Sequence, residues 1–127
     1  MKVLLDTHAI LWWLGNDPRL GDRCREIVED PANAIFVSVV SLWEIVVKIR
    51  VGKLEADFPQ VIRAIEAEAF GFLAIQPAHL RALADLPLHH RDPFDHLLIA
   101  QSVSEDMAFL TDDRHAALYP ARIIRCS

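Results

Sequence analysis

The sequence predicts an α/β domain built on a mostly parallel sheet of four to five strands flanked by helices. Three observations predict it. Short apolar runs of two to four residues recur along the chain. Amphipathic stretches of helical length separate them. Several runs stop at an acidic or hydroxyl residue, as a strand does when it turns into a helix.

The runs come in order. Val3-Leu4-Leu5 ends at Asp6, and Ile35-Phe36-Val37 ends at Ser38. Phe72-Leu73-Ala74-Ile75 is stopped by Pro77. Ala108-Phe109-Leu110 ends at Thr111-Asp112-Asp113, and Ile123-Ile124 supplies a fifth. Each contains a β-branched or aromatic residue, and such runs suit strands buried on both faces.

Helices are predicted between them. Residues 8–14 carry Ile10, Leu11 and Leu14; residues 21–30 are polar and mixed. Residues 41–51 place Leu42, Ile45, Val46 and Ile49 at helical spacing. Residues 57–70 carry Phe58, Val61, Ile62, Ile65 and Ala69. Residues 77–85 hold Leu80, Leu83 and Ala84, and residues 93–105 hold Phe94, Leu97, Leu98, Ala100 and Gln101. The stretch from Pro87 to Pro93 is the least regular and reads as a loop.

Length and composition narrow the class. The chain has 127 residues, 53% of them hydrophobic, enough for one domain spanning 1–127 and against wholesale disorder. The cysteines, Cys24 and Cys126, are too few for a disulfide scaffold and form no CxxC pair. A net charge of −5 argues against binding nucleic acid through bulk positive charge, though not against a local basic groove. The longest apolar run, Ala9 to Leu14, falls far short of the roughly 20 residues of a membrane span. Asp6 and His8 interrupt the N-terminal apolar run, and no cleavage site of small residues follows Leu14. A soluble, cytoplasmic protein is expected, with no membrane partner.

Six carboxylates stand in suggestive places: Asp6, Glu44, Asp92, Asp95, Asp112 and Asp113. In an open parallel sheet, ligands bind beyond the carboxyl ends of the strands. Asp6 follows the first run and Asp112-Asp113 the fourth. Glu44 falls about one turn into the helix after the second run. Asp95 falls in the first turn after the Pro-bounded loop.

Each acid also has a purely structural role open to it. Asp6 suits a helix cap before Thr7. Ser41-Leu42-Trp43-Glu44 matches a capping box, with Glu44 reaching back to the Ser41 backbone. Glu44 also lies four residues before Lys48, a favourable helix ion pair. Asp92 caps a helix that begins with Pro93, where the dipole favours Asp95. Asp112 or Asp113 suits a cap for the last short helix. Taken together, however, four separated segments deliver acids to one edge. Two unit charges 4 Å apart interact by about 4 kcal/mol at an effective dielectric near 20. Such a cluster calls for a cation or raised pKa values. Carboxylate ligands favour Mg²⁺ or Mn²⁺, and paired ions of this kind serve phosphodiester hydrolysis.

The segments Leu4-Leu5-Asp6-Thr7-His8, Ser41-Leu42-Trp43-Glu44-Ile45, His89 to Gln101 and Leu110-Thr111-Asp112-Asp113 resemble PIN-domain ribonucleases, in particular the VapC-type toxins of toxin–antitoxin pairs. The likeness spans nearly the whole chain; the third segment is long and specific, whereas the first alone would be weak. It implies a three-layer PIN-like domain and RNA cleavage dependent on Mg²⁺ or Mn²⁺. It also implies a homodimer held in check by a small antitoxin that inserts a basic side chain into the acidic site. The four family acids fall on Asp6, Glu44, Asp95 and Asp113, with Asp112 the alternative for the last. Asp6, Asp95 and Asp113 are expected as metal ligands, and Glu44 as a further ligand or an orienter of the attacking water. Asp92 reads as a cap first and a metal-site contributor second. Thr7 and Thr111 are expected to orient ligands through their hydroxyls.

Lys48, Arg50 and Lys53 form the densest basic cluster. Solvated helix surface is the plain reading; RNA-backbone contact is the functional one, for Lys48, Lys53, Arg91 and Arg114. Trp12 and Trp13 are adjacent and cannot share one helix face, so one of them is expected at a surface or interface. His89, His90 and His96 fit no zinc spacing. Three other readings compete. An aspartyl phosphatase of haloacid-dehalogenase type would use Asp6 as nucleophile, but position 8 is His where a second aspartate belongs. A non-catalytic PIN-like binding module would not need all four acids. A structure-specific DNA nuclease usually carries additional helices.

Overall fold

The computed structural model describes residues 1–89 and 92–126. His90 and Arg91, and with them the expected RNA contact at Arg91, lie outside the described residues. The chain runs β1 (Lys2–Leu5), α1 (Thr7–Leu14), α2 (Asp22–Glu29), β2 (Ala34–Ser38), α3 (Val39–Arg50), α4 (Phe58–Glu66) and β3 (Gly71–Leu73). It continues with α5 (Pro77–Ala84), α6 (Pro93–Ser104), β4 (Ala108–Thr111), a 3-10 turn (Arg114–Leu118) and β5 (Ile123–Arg125).

The five strands form one parallel sheet in the order β3-β2-β1-β4-β5. The chain builds outward from β1 to β2 and β3, then returns to the other side of β1 to lay down β4 and β5. The order therefore reverses between β1 and β4. That switch point leaves a crevice beyond the carboxyl ends of the two strands.

Alternation along each strand divides the core into two layers. Val3, Leu5, Ile35, Val37 and Leu110 pack on one face with Ala9 and Ile10 of α1, Cys24 and Val28 of α2 and Ile65 of α4. Leu4 and Phe109 pack on the other with Val40 of α3 and Leu97, Leu98 and Ile99 of α6. The three-layer α/β arrangement is the expected one. No helix among the described residues is long and apolar enough to cross a membrane.

Three expectations are corrected. Burial on both faces holds for the centre of the sheet but not for β3 and β5, which are its edges: Phe72 is 47% exposed. Helix α4 is shorter than residues 57–70 and ends at Glu66. Helix α3 begins at Val39, capped by the Ser38 hydroxyl, which accepts from the Val40 N–H at 3.0 Å. Ser41 and Glu44 therefore sit inside the helix, and the Ser41–Glu44 capping box does not form. Gly71 is a position of close approach, because a Cβ there would come within 2.8 Å of the Phe36 ring. Gly52 adopts φ +77° just past the end of α3, a left-handed turn that favours glycine.

Candidate active site

Asp6 is the first residue past β1. It caps α1, and its Oδ1 accepts from the Ala9 N–H at 2.7 Å. Its Oδ2 accepts from the Thr111 hydroxyl and from the Asp112 N–H, at 2.5 and 3.3 Å. One side chain thus both caps α1 and lines the crevice, because the strand-to-helix turn opens on it. Burial pushes the Asp6 carboxyl up to about 6; the Thr111 and Ala9 hydrogen bonds oppose the rise and the Asp112 charge adds to it.

Glu44 enters from α3, 3% exposed. Its Oε1 accepts from the Thr7 hydroxyl at 2.6 Å, and its Oε2 lies 2.6 Å from Lys48 Nζ. The expected i,i+4 pair therefore forms, inside the crevice rather than on a solvated face. Burial pulls the Lys48 ammonium down, but the Glu44 hydrogen bond and charge, together with the charges of Asp92 and Asp95, outweigh it and leave Lys48 raised. Thr7 Oγ1 also lies 3.1 Å from Ser41 Oγ, so α1 is stitched to α3 at the floor of the site.

Asp92 caps α6, accepting through Oδ1 from the N–H groups of Phe94 and Asp95 at 2.9 and 3.2 Å. This fixes the first turn of α6, from which Asp95 faces the same crevice. Burial pushes Asp95 up to about 8, and the charges of Asp92, Asp6, Glu44 and Asp113 add to it. Three acids from three other segments, and Asp92 from its own, thus act on one carboxyl.

Both aspartates after β4 line the cleft. Asp113 caps the 3-10 turn, accepting from the His115 N–H at 2.9 Å, while its own N–H donates to Thr111 Oγ1 at 3.0 Å. Asp112 Oδ1 stands 3.4 Å from His8 Nδ1. Arg114 and His115 complete the rim of a cleft of about 550 Å³ that also holds Asp6, Thr7, His8, Glu44, Lys48, Asp92 and Asp95. Lys53 lies outside it, in an adjoining pocket.

A buried polar chain that sequence reasoning missed supports the site from behind. The Ser38 hydroxyl donates to Gln101 Oε1 at 2.5 Å. Gln101 Nε2 lies 3.3 Å from His79 Nδ1, and His79 Nε2 lies 2.8 Å from Glu105 Oε2. The chain ties the N-terminus of α3, which carries Glu44, to α6, which carries Asp95. His96 packs on Tyr119 and hydrogen-bonds its hydroxyl at 3.0 Å, a core role rather than a ligand's.

Among the described residues, no three carboxylate, imidazole or thiol groups stand close enough as placed to clasp an ion. The donor set nevertheless fits a hard divalent cation. It is all oxygen, converges on one cleft, and contains a carboxyl whose ionised form is destabilised by its own neighbours.

A parallel α/β sheet with an acidic cleft at its switch point is an open α/β fold with its candidate site where such folds bind their ligands. The PIN-domain family model matches residues 3–121, and the chain belongs to the PIN-domain family. In fold, the chain is similar to a chain in the structure of VapBC2 from Rickettsia felis bound to a DNA fragment from their promoter. That match has a TM-score of 0.74 and 13% identity and covers 98% of each chain. It is also similar to a chain of DNA-bound VapBC from Salmonella typhimurium, with a TM-score of 0.71, 14% identity and coverage of 100% of this chain and 99% of that one. A third is VapBC-1 from nontypeable Haemophilus influenzae, with a TM-score of 0.70, 18% identity and coverage of 99% and 98%. No curated protein matches the sequence.

Proposed function

We propose that this protein is a metal-dependent endoribonuclease toxin of VapC type, acting as a single domain over residues 1–127. One observation carries the reading: Asp6, Glu44, Asp92, Asp95 and Asp113, from four separate segments, line one cleft at the β1–β4 switch point. Asp6, Asp95 and Asp113 would hold Mg²⁺ or Mn²⁺, with Asp112, Asp92 and Glu44 as further contributors. When bound, such an ion activates water and stabilises the leaving oxygen of a phosphodiester.

The chain's own residues supply positioning. Thr111 and the Ala9 N–H fix both oxygens of Asp6. Thr7 and Lys48 fix both oxygens of Glu44, which orients the attacking water from α3. Asp95 holds a proton near neutral pH in the free protein. Arg114 stands at the rim, where a cation meets the RNA backbone. The aspartyl-phosphatase alternative lacks its second aspartate, because position 8 is His8.

The likeness in fold to VapBC complexes supports an antitoxin partner, and the reading takes the toxin as a homodimer in the cytoplasm. The test is cleavage of RNA by the purified, antitoxin-free protein with Mg²⁺, Mn²⁺ or EDTA, beside Asp6→Asn. The expected result is cleavage that needs both the metal and Asp6. Binding of metal with no cleavage of any RNA would favour the non-catalytic module.

A further inference from the structure

A second pocket of about 240 Å³ opens beside the acidic cleft and shares Thr7, His8 and Lys48 with it. Its character is different. The floor is apolar, made by Leu11, Ile45 and Leu54, and the cations Lys48 and Lys53 stand around it. One wall is His8, and that wall is braced. The His8 ring stacks on Trp12 with centroids 5.8 Å apart and planes 17° apart, and the Arg19 guanidinium lies 5.1 Å from the Trp12 centroid. His8 and Trp12 sit one helical turn apart on α1, so helix geometry keeps the two rings together.

An apolar slot with a flat aromatic wall and two ammonium groups fits one planar heterocycle joined to a phosphate. The volume is below the roughly 300 Å³ at which drug-sized pockets begin, which suits a single base. We infer that this pocket seats the base of a nucleotide flanking the scissile phosphate, with Lys48 and Lys53 taking the neighbouring backbone phosphate. The inference rests on the nuclease reading above and adds to it a place where substrate selection occurs. The shared lining of Thr7, His8 and Lys48 makes the pocket continuous with the acidic cleft, within reach of a nucleotide next to the phosphate held there.

The test fills the slot. Leu54 is partly buried and lines this pocket but not the acidic cleft, so Leu54→Trp fills the one without lining the other. Two substrates are compared in Mn²⁺: single-stranded RNA, and bis(p-nitrophenyl) phosphate, which has a diester but no nucleoside. The expected result is kcat/KM for RNA lowered about tenfold through KM, with the small diester changed by less than about twofold. Equal rates on both substrates for variant and wild type would overturn the seat and leave the pocket to a protein partner. A matched fall on both would also overturn it, by placing the effect in the acidic site. If Leu54→Trp does not fold, Lys53→Ala is read instead. Its RNA KM should rise and lose about one counterion of salt dependence, and an unchanged slope overturns the proposal. If wild type turns over neither substrate, the nuclease reading fails on its own, and binding decides the seat. Adenosine monophosphate in EDTA then shifts the methyl resonances of Leu11, Ile45 and Leu54, or the seat is refuted.

Discussion

Thr7 and Glu44 stand 37 residues apart in the chain, yet their oxygens meet at 2.6 Å. The contact joins the first turn of α1 to the middle of α3 beneath the acidic cleft. It occupies Glu44 Oε1 while Lys48 occupies Oε2, so this carboxylate cannot turn. Thr7→Val keeps the shape and removes the donor. A buried acceptor stripped of its partner costs about 1–3 kcal/mol, so the variant should melt several degrees lower than wild type, with Thr7→Ser close to wild type. Equal melting of all three by calorimetry would show that Glu44 does not depend on this hydroxyl.

Stability in the absence of metal should fall as pH rises. Burial and neighbouring acids raise Asp95 from 3.8 to about 8, and burial raises Asp6 to about 6. Between pH 4 and 8 the folded state therefore keeps protons that the unfolded chain has released. The stabilisation is complete below the unfolded pKa and is lost as pH climbs through 6 and then 8, at up to about 1.4 kcal/mol per pH unit for each group. Thermal melts in EDTA from pH 5 to 8.5 should decline, and saturating Mn²⁺ should flatten the decline by favouring the charged forms. A flat profile in EDTA contradicts the raised carboxyls.

Asp6→Asn separates charge from shape. One amide oxygen can still cap α1 at the Ala9 N–H, but a charge that acts on Asp95 is gone. Near pH 8 and without metal, the variant should melt above wild type, while the Mn²⁺-induced rise expected of wild type should disappear. The amide nitrogen that replaces Oδ2 gives up the Thr111 hydroxyl and Asp112 N–H donors, at 2.5 and 3.3 Å, so the gain in melting is the lost repulsion less these two contacts. A variant that melts lower in EDTA would mean that Asp6 serves the fold chiefly as a cap.

Half of the acids were legible because they stand where an apolar run ends, and a strand's end is fixed by local pattern. Asp6 and Asp112-Asp113 needed only that rule, and Asp92-Pro93 carried its own helix-start signal. The start of α3 was not legible in the same way. Val39 and Val40 prolong a β-branched run, and Ser41 with Glu44 fits a capping box, so local chemistry pointed three residues too late. Tertiary contact decided the matter: Ser38 caps Val40 and bonds Gln101, 63 residues on. Which strands form the sheet's edges was likewise hidden. Strand order is a property of the whole chain, and the run at Phe72 looks no different from that at Phe36.

Gln101 supplies the last prediction. It is fully buried, and its side chain joins Ser38 on one side to His79 on the other. His79 Nδ1 accepts from the Gln76 N–H at 3.0 Å, so the ring's proton sits on Nε2 and is donated to Glu105. Gln101→Leu leaves the buried Ser38 hydroxyl without its acceptor, at a cost of about 1–3 kcal/mol. Ser38→Ala strands Gln101 Oε1 and also weakens the α3 cap. Because the two changes remove halves of one contact, the double variant should be less destabilised than their sum, by at least about 0.5 kcal/mol. The N-terminus of α3 carries Glu44 into the cleft, so both single variants should also lower metal-dependent cleavage while leaving the secondary structure intact by circular dichroism. Strict additivity in denaturant unfolding, with cleavage unchanged, would show that α3 and α6 are positioned independently of this link.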